Sequence, residues 1–247
     1  MNLIWFSTKE MAMFYKFLMR ALMAMILSSV GGLAWAATDK EAGADWPNLA
    51  AYRSANAQLK SAENKVEKTI FMGDSITEFW TPSFWNATRI NRGISGQTTP
   101  QMLLRFRSDV IELQPQMVVI LAGTNDVAGN TGPATVDMIV GNIASMAELA
   151  KVHGIRVVLC SVLPASAFPW NPGAQPADKI IEVNQRIKAY ATRHQITFVD
   201  YFPSMVDQHK GLQKIYSGDG VHPNAVGYQV MANLVLQGIA EALRAPK

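Results

Sequence analysis

The feature that most limits how this chain can fold is the rhythm of its β-rich runs. "KTIFMG", "TRINRG", "QMVVILAG", "RVVLCSVLP" and "ITFVDY" occur in that order. Between and after them lie "TTPQMLLRFRSDVIEL", "ATVDMIVGNIASMAELAKVHG", "ADKIIEVNQRIKAYATRH" and "NAVGYQVMANLVLQGIAEALR", with apolar residues at helical spacing. The third and fourth runs are continuously apolar, as strands covered on both faces must be. Strands alternating with helices predict an α/β fold, a parallel sheet with helices on both faces. Gly154 stops one helix after His153, and Pro115 is expected to end the helix that begins near Thr99. A leading amphipathic segment, about Trp46 to Ser61, is expected to pack across the sheet. No repeat, low-complexity segment or second folded domain is visible.

The chain opens differently. Lys9, Lys16 and Arg20 precede the apolar run "ALMAMILSSVGGLAWA", which closes on the small-x-small pattern Ala34-Trp35-Ala36. The run is short for a membrane span and polar residues follow at once. Residues 1–36 therefore read as a signal peptide cleaved after Ala36, with Met11 and Met13 as alternative starts, residues 37–66 as a lead-in, and 67–247 as the folded domain. The mature protein is then expected in the periplasm or outside the cell, with no stable membrane anchor after cleavage; an uncleaved N-terminal anchor is the alternative. The leader holds three of the 22 basic residues but only Glu10 of the 19 acidic ones. The remainder is nearly neutral, so the basic character belongs to the leader and gives no support for a nucleic-acid partner. The single cysteine, Cys160, excludes an intrachain disulfide and reads as a small buried hydrophobe.

In an open parallel sheet, ligands bind beyond the carboxyl ends of the strands. The first strand is followed by Gly73-Asp74-Ser75, the second by Gly93-Ile94-Ser95-Gly96-Gln97, and the third by Gly123-Thr124-Asn125-Asp126. Beyond the fifth, "YSGDGVHP" leads into the last helix. These four turns are expected to meet on one rim. Together they offer a hydroxyl, a glycine amide, a side-chain amide and an Asp-x-x-His pair, the parts needed for acyl transfer. A serine hydroxyl is a weak nucleophile until a base takes its proton, and His222 is the histidine expected on this rim. Asp219 can orient the imidazole and stabilise its charge. The Ser75 and Gly96 amides and the Asn125 side chain are candidate oxyanion donors; losing one such donor costs about 10² to 10³ in rate.

Each of these residues also has a plainer use. Ser75-Ile76-Thr77-Glu78 fits a capping box, in which Ser and Glu satisfy the amides at a helix start. Gly96, Asn125-Asp126 and Asp219-Gly220 are ordinary turn residues. His153 and His194 suit helix C-termini, and His209 lies in a polar loop.

Taken together, "GDSI", "NRGISGQTT", "GTND" and "DGVH" resemble, in order, the motif blocks of the SGNH hydrolases, or GDSL esterases and lipases. The resemblance spans roughly Lys68 to Ala240, with Ile76 where the family name has Leu. It implies a flavodoxin-like three-layer α/β/α sandwich with a five-stranded sheet in the order 2-1-3-4-5. It also implies Ser75 as nucleophile, Asp219 and His222 as its partners, and Ser75, Gly96 and Asn125 as the oxyanion hole. The absence of a second glycine after "GDS" argues against the G-x-S-x-G elbow of another hydrolase fold. No cofactor or metal is implied.

The expected reaction is hydrolysis of a short-chain carboxylic ester of a small or carbohydrate alcohol through an acyl-Ser75 intermediate. Its pH optimum should be neutral to alkaline, since His222 must be neutral to act as base. Lysophospholipid or aryl esters, acyl transfer to a sugar hydroxyl, and a non-catalytic binding domain are the alternatives. Asp74, Trp80, Trp85, Phe168 and Trp170 are candidate substrate contacts. The last two lie in the long loop "ASAFPWNPGAQP", of a length that is often functional. Oligomeric state has no signal in the sequence.

Overall fold

A computed structural model describes residues 45–61 and 66–245. The expected leader, residues 1–36, lies outside the described residues, as does the lead-in before residue 45. The fold itself falls within Pro47–Lys247.

Strands β1 (Thr69–Gly73), β2 (Arg89–Gly93), β3 (Met117–Leu121), β4 (Arg156–Cys160) and β5 (Thr197–Val199) coincide with the five expected runs. They form one sheet in the order β2-β1-β3-β4-β5, and every neighbouring pair is parallel. Hydropathy explains the order. β3, buried along its whole length, lies at the centre, whereas "RINRG", only partly buried, is the edge strand β2.

The helices are α1 (Arg53–Ser61), α2 (Ser75–Glu78), α3 (Thr99–Asp109), α4 (Thr124–Ala128), α5 (Val136–Val152), α6 (Pro176–Arg193), α7 (Phe202–Met205) and α8 (Ala225–Arg244). Alternating strand residues feed two apolar layers. Ile70, Met72, Val118 and Ile120 pack with Met102 and Phe106 of α3, Ile139 and Ile143 of α5, and Ile180 and Val183 of α6. Phe71, Val119 and Val158 point the other way, onto Tyr228, Met231 and Val235 of α8 and onto Trp80 and Phe84. This is the three-layer α/β/α sandwich.

Two local expectations need correction. The helix from Thr99 ends at Asp109, ahead of Pro115, and the chain tightens into a 3₁₀ turn, Ile111–Leu113. That turn sends Ile111 and Leu113 into the core. The leading segment does not lay an apolar face across the sheet. Helix α1 starts only at Arg53, its buried residue is Asn56, and only Leu59 of the helix reaches the apolar core; Asn56 Nδ2 donates to Asp109 Oδ1 at 2.7 Å and Arg92 Nε donates to Asn56 Oδ1 at 2.9 Å.

Strand register is what assembles a site. Gly73 pairs with both Gly93 and Leu121, so β1, β2 and β3 end level with one another. The turns that follow them emerge side by side. A Cβ on Gly73 would lie 2.1 Å from Thr77 Oγ1 and 2.9 Å from the Leu121 carbonyl oxygen. Only glycine lets the short helix α2 fold back so closely over the strand ends.

Candidate active site

Ser75 is the first residue of α2 and is nearly buried, 8% exposed. It does not cap the helix. Asp74 does so, its Oδ1 accepting from the Ile76 amide at 3.0 Å. Glu78, the other half of the expected capping box, instead accepts from the Ser95 amide at 2.7 Å and from the Ser95 hydroxyl. The carboxylate thereby ties α2 to the turn after β2, and the serine hydroxyl is released from helix duty.

That hydroxyl meets His222: Ser75 Oγ and His222 Nε2 are 3.0 Å apart. On the far side of the ring, His222 Nδ1 lies 2.7 Å from Asp219 Oδ2. The other oxygen, Asp219 Oδ1, accepts from the amides of Val221 and His222 at 2.9 and 2.8 Å and from Ser217 Oγ at 3.0 Å. Desolvation alone would raise the Asp219 pKa, but these donors outweigh it and hold the carboxyl well below its usual range. The loop is brought over Ser75 by α8, whose Tyr228 hydroxyl donates to the Ile76 carbonyl at 2.9 Å.

The opposite side of the site is built from the turns after β2 and β3. Gly96 takes a φ of +76°, a left-handed turn that other residues rarely adopt. Asn125, 3% exposed, donates from Nδ2 to the Gln97 carbonyl at 3.0 Å, with Asp74 Oδ2 at 3.5 Å. Asp126 also has a definite use, accepting from the Thr99 amide at 2.9 Å and from the Thr99 hydroxyl at 2.5 Å, which fastens α4 to the start of α3.

Beneath these turns, fully buried Arg105 acts as a brace. It donates to the Gly73 carbonyl at 2.9 Å, to Gln97 Oε1 at 2.5 Å and to Asp109 Oδ2 at 3.0 Å. One guanidinium thus fixes the end of β1, the Gly96-Gln97 turn and its own helix. Asp74 lies at the same depth. Burial pushes its carboxyl up to about 7, against the Ile76 amide and the nearby His222, which favour the ionised form.

The aromatic candidates divide. Trp80 is buried and stacked between Phe84, 4.5 Å away, and Tyr228, 5.4 Å away. Trp85 donates to the Trp80 carbonyl and packs edge-on against Phe71. Both pack into the apolar layer under α8, and Asp74 is sealed from solvent. Phe168 is fully buried beneath Trp170, their rings 5.1 Å apart. Trp170 alone of the five is open, 45% exposed, with its ring 6.1 Å from that of His222.

Two residues were not anticipated. Phe79, 56% exposed, lies 5.9 Å from the His222 ring. Its position four residues after Ser75, one helical turn, is the signal that could have found it. Asn130, just beyond α4, touches Gly96, Asn125 and Trp170, and nothing in its local sequence marks it. Cys160, by contrast, sits in the core as expected, burial pushing its thiol up to about 12.

A hydroxyl in contact with an imidazole that is itself braced by an ionised carboxylate is equipped for acyl transfer to and from serine. The sequence profile of the GDSL-like Lipase/Acylhydrolase family matches residues 71–230, and the chain belongs to that family. It is a carboxylic ester hydrolase. A GDSL-like lipase from Bacteroides thetaiotaomicron is 49% identical, covers 80% of this chain and 100% of its own, and superposes with a TM-score of 0.77. Platelet-activating factor acetylhydrolase IB subunit alpha1 from Bos taurus is 28% identical over 180 residues, 69% of this chain and 74% of that protein. Esterase TesA from Pseudomonas aeruginosa is 32% identical over 135 residues, 54% of this chain and 60% of its own.

Proposed function

We propose that the protein is an exported serine esterase that removes a short acyl group, acetyl foremost, from a small or carbohydrate alcohol. The observation that carries the catalytic reading is the unbroken line from Ser75 Oγ through the His222 ring to Asp219, at 3.0 and 2.7 Å. As Ser75 Oγ attacks the ester carbonyl carbon, His222 Nε2 takes the hydroxyl proton and the carbonyl electron pair moves onto oxygen. The Ser75 and Gly96 amides and Asn125 Nδ2 stabilise that oxyanion. Collapse of the intermediate breaks the bond to the alcohol oxygen, which leaves with the proton from His222. Water then repeats the sequence on acyl-Ser75 and regenerates the hydroxyl.

Support for the substrate class is of two kinds. One relative carries an acetylhydrolase name, which favours a short acyl group. Phe79 and Trp170 present exposed rings beside His222, on the side where the alcohol departs, and aromatic faces of this kind suit the apolar face of a sugar ring. Export rests on the leader at residues 1–36.

The test is hydrolysis of nitrophenyl esters from acetate to laurate by the mature chain and by its Ser75→Ala variant. The reading expects activity on the shortest esters that disappears in the variant. A preference for laurate would move the substrate to lipids, and equal activity in both proteins would remove Ser75 from the chemistry.

A further inference from the structure

A side-chain amide has two ends of nearly equal size, and only its NH₂ end can stabilise an oxyanion. Whatever decides which way Asn125 faces therefore decides whether it can act at all. We propose that Asn130 and Trp170 are positioning residues that set the orientation of the Asn125 amide. The proposal rests on the reading of Asn125 as an oxyanion donor.

The argument begins at Trp170, whose indole Nε1–H can only donate. It lies 3.0 Å from Asn130 Oδ1, which fixes the Asn130 oxygen on the Trp170 side and sends its NH₂ the other way. There Asn130 Nδ2 finds two acceptors, Asn125 Oδ1 at 2.8 Å and the Gly96 carbonyl at 3.3 Å. With its oxygen claimed by Asn130, Asn125 must turn Nδ2 toward the Gln97 carbonyl at 3.0 Å and Asp74 Oδ2 at 3.5 Å. Reversing Asn125 would set NH₂ against NH₂ at Asn130 and oxygen against oxygen at Gln97. Every contact in the chain has one allowed polarity, and the polarity originates in a donor that cannot be reversed.

The backbone supports the relay. Gly129 ends α4 with a φ of +76°, and the Asn130 amide returns to the Asn125 carbonyl at 3.0 Å. Asn130 is thus held by main chain at the residue it orients. At the other end, stacking on buried Phe168 steadies the Trp170 ring at the mouth of the site. Neither residue touches the reacting atoms; toward the oxyanion both act through Asn125, a role of the Trp170 N–H separate from any contact its ring face makes with the alcohol.

The experiment compares Asn130→Asp, Trp170→Phe, Asn125→Ala and the Asn125→Ala/Asn130→Asp pair on nitrophenyl acetate, reading kcat and KM separately. Affinity for a boronic acid that forms a tetrahedral adduct on serine is measured alongside. Asn130→Asp keeps the oxygen that accepts from Trp170 but removes the donor to Asn125, and its carboxylate draws the Asn125 NH₂ toward itself. It should lower kcat about 10²-fold, close to the loss of one oxyanion donor, with KM little changed and boronate affinity reduced. Trp170→Phe preserves the ring stack without the N–H and should lower kcat about 3- to 10-fold, since only the far end of the relay is released. In the Asn125→Ala background, Asn130→Asp should add no further loss, because a residue acting through Asn125 has nothing left to orient.

Losses that multiply in the double variant would overturn the relay, as would an unchanged kcat in Trp170→Phe, the variant at an exposed position that tests the idea even if Asn130→Asp folds poorly. If Asn125→Ala alone kept kcat within a few-fold, the oxyanion reading itself would fall and the relay with it. That outcome is distinct from a relay that fails while Asn125 remains essential.

Discussion

At the floor of the site Asp74 is sealed from solvent and takes the Ile76 amide on one oxygen. At the rim Asp219 is partly exposed and receives three hydrogen bonds on one oxygen and the His222 ring on the other. Burial drives the first carboxyl up to about 7, while donors hold the second well below its usual range. The same side chain has therefore been given two uses by its surroundings. The rim carboxylate is ionised and holds the His222 ring; in the proposed mechanism it braces an imidazole that becomes positive in mid-reaction. The floor carboxylate starts a helix and sets the position of the serine beside it. The supply of donors separates them, and the His222 ring is one of those donors for Asp219 but not for Asp74.

The sharpest break of this contrast is at the rim. Asp219→Asn should leave the fold intact, since the amide oxygen can still accept from Val221 and His222, yet turnover should fall by about 10⁴ as the imidazole loses its orienting charge. Circular dichroism with kcat on nitrophenyl acetate checks both halves. Activity within a few-fold of the parent would mean that another group orients His222. At the floor the large effect is on stability instead. Arg105→Met strands Asp109 in a fully buried pair and should cost about 3–5 kcal/mol in urea unfolding. Arg186→Met, which removes an exposed partner of Asp137, should cost under about 1 kcal/mol. Equal losses in the two variants would show that the brace beneath the strand ends is not under tension from burial.

The sequence exposed the rim better than the floor, for a physical reason. Each turn after a strand is a local pattern, and the parallel register that levels Gly73 with Gly93 and Leu121 brings local patterns together. Sheet order was what the family resemblance implied, and hydropathy agrees with it, since the continuously apolar "MVVIL" is central and "RINRG" an edge. Which way a side chain faces is not local. Trp80 and Trp85 lie near Ser75 in the chain but pack into the layer under α8, and nothing in "EFWTPSFW" distinguishes that from the rim. The cap falls one position before the capping-box pattern suggests: Asp74 and Ser75 are both good caps, and in the fold Asp74 accepts from Ile76 while the Ser75 hydroxyl meets His222, 147 residues away. Asn130 has partners 5, 34 and 40 residues distant, and three loops must be folded before it has a role.

The remaining effect is a slope, and it tests the floor directly. In the unfolded chain the Asp74 carboxyl titrates near 3.9, whereas in the fold it is pushed up to about 7. Between those values the folded protein holds a proton that the unfolded chain has released, so the contribution of Asp74 to stability declines as pH rises from about 4 to about 7. Asp219 has the opposite sign: its contribution is present above its unfolded value and is lost as pH falls below it. Asp74→Asn cannot titrate, and its amide oxygen can still accept from Ile76. Relative to the parent, this variant should gain about 3 kcal/mol in urea unfolding between pH 4.5 and pH 7.5, with Asp219 unchanged in both proteins and cancelling from the difference. A difference that stays flat across that window would mean that Asp74 is ionised throughout, so that one amide and a neighbouring imidazole suffice to overcome burial, and floor and rim would then differ in geometry rather than in charge.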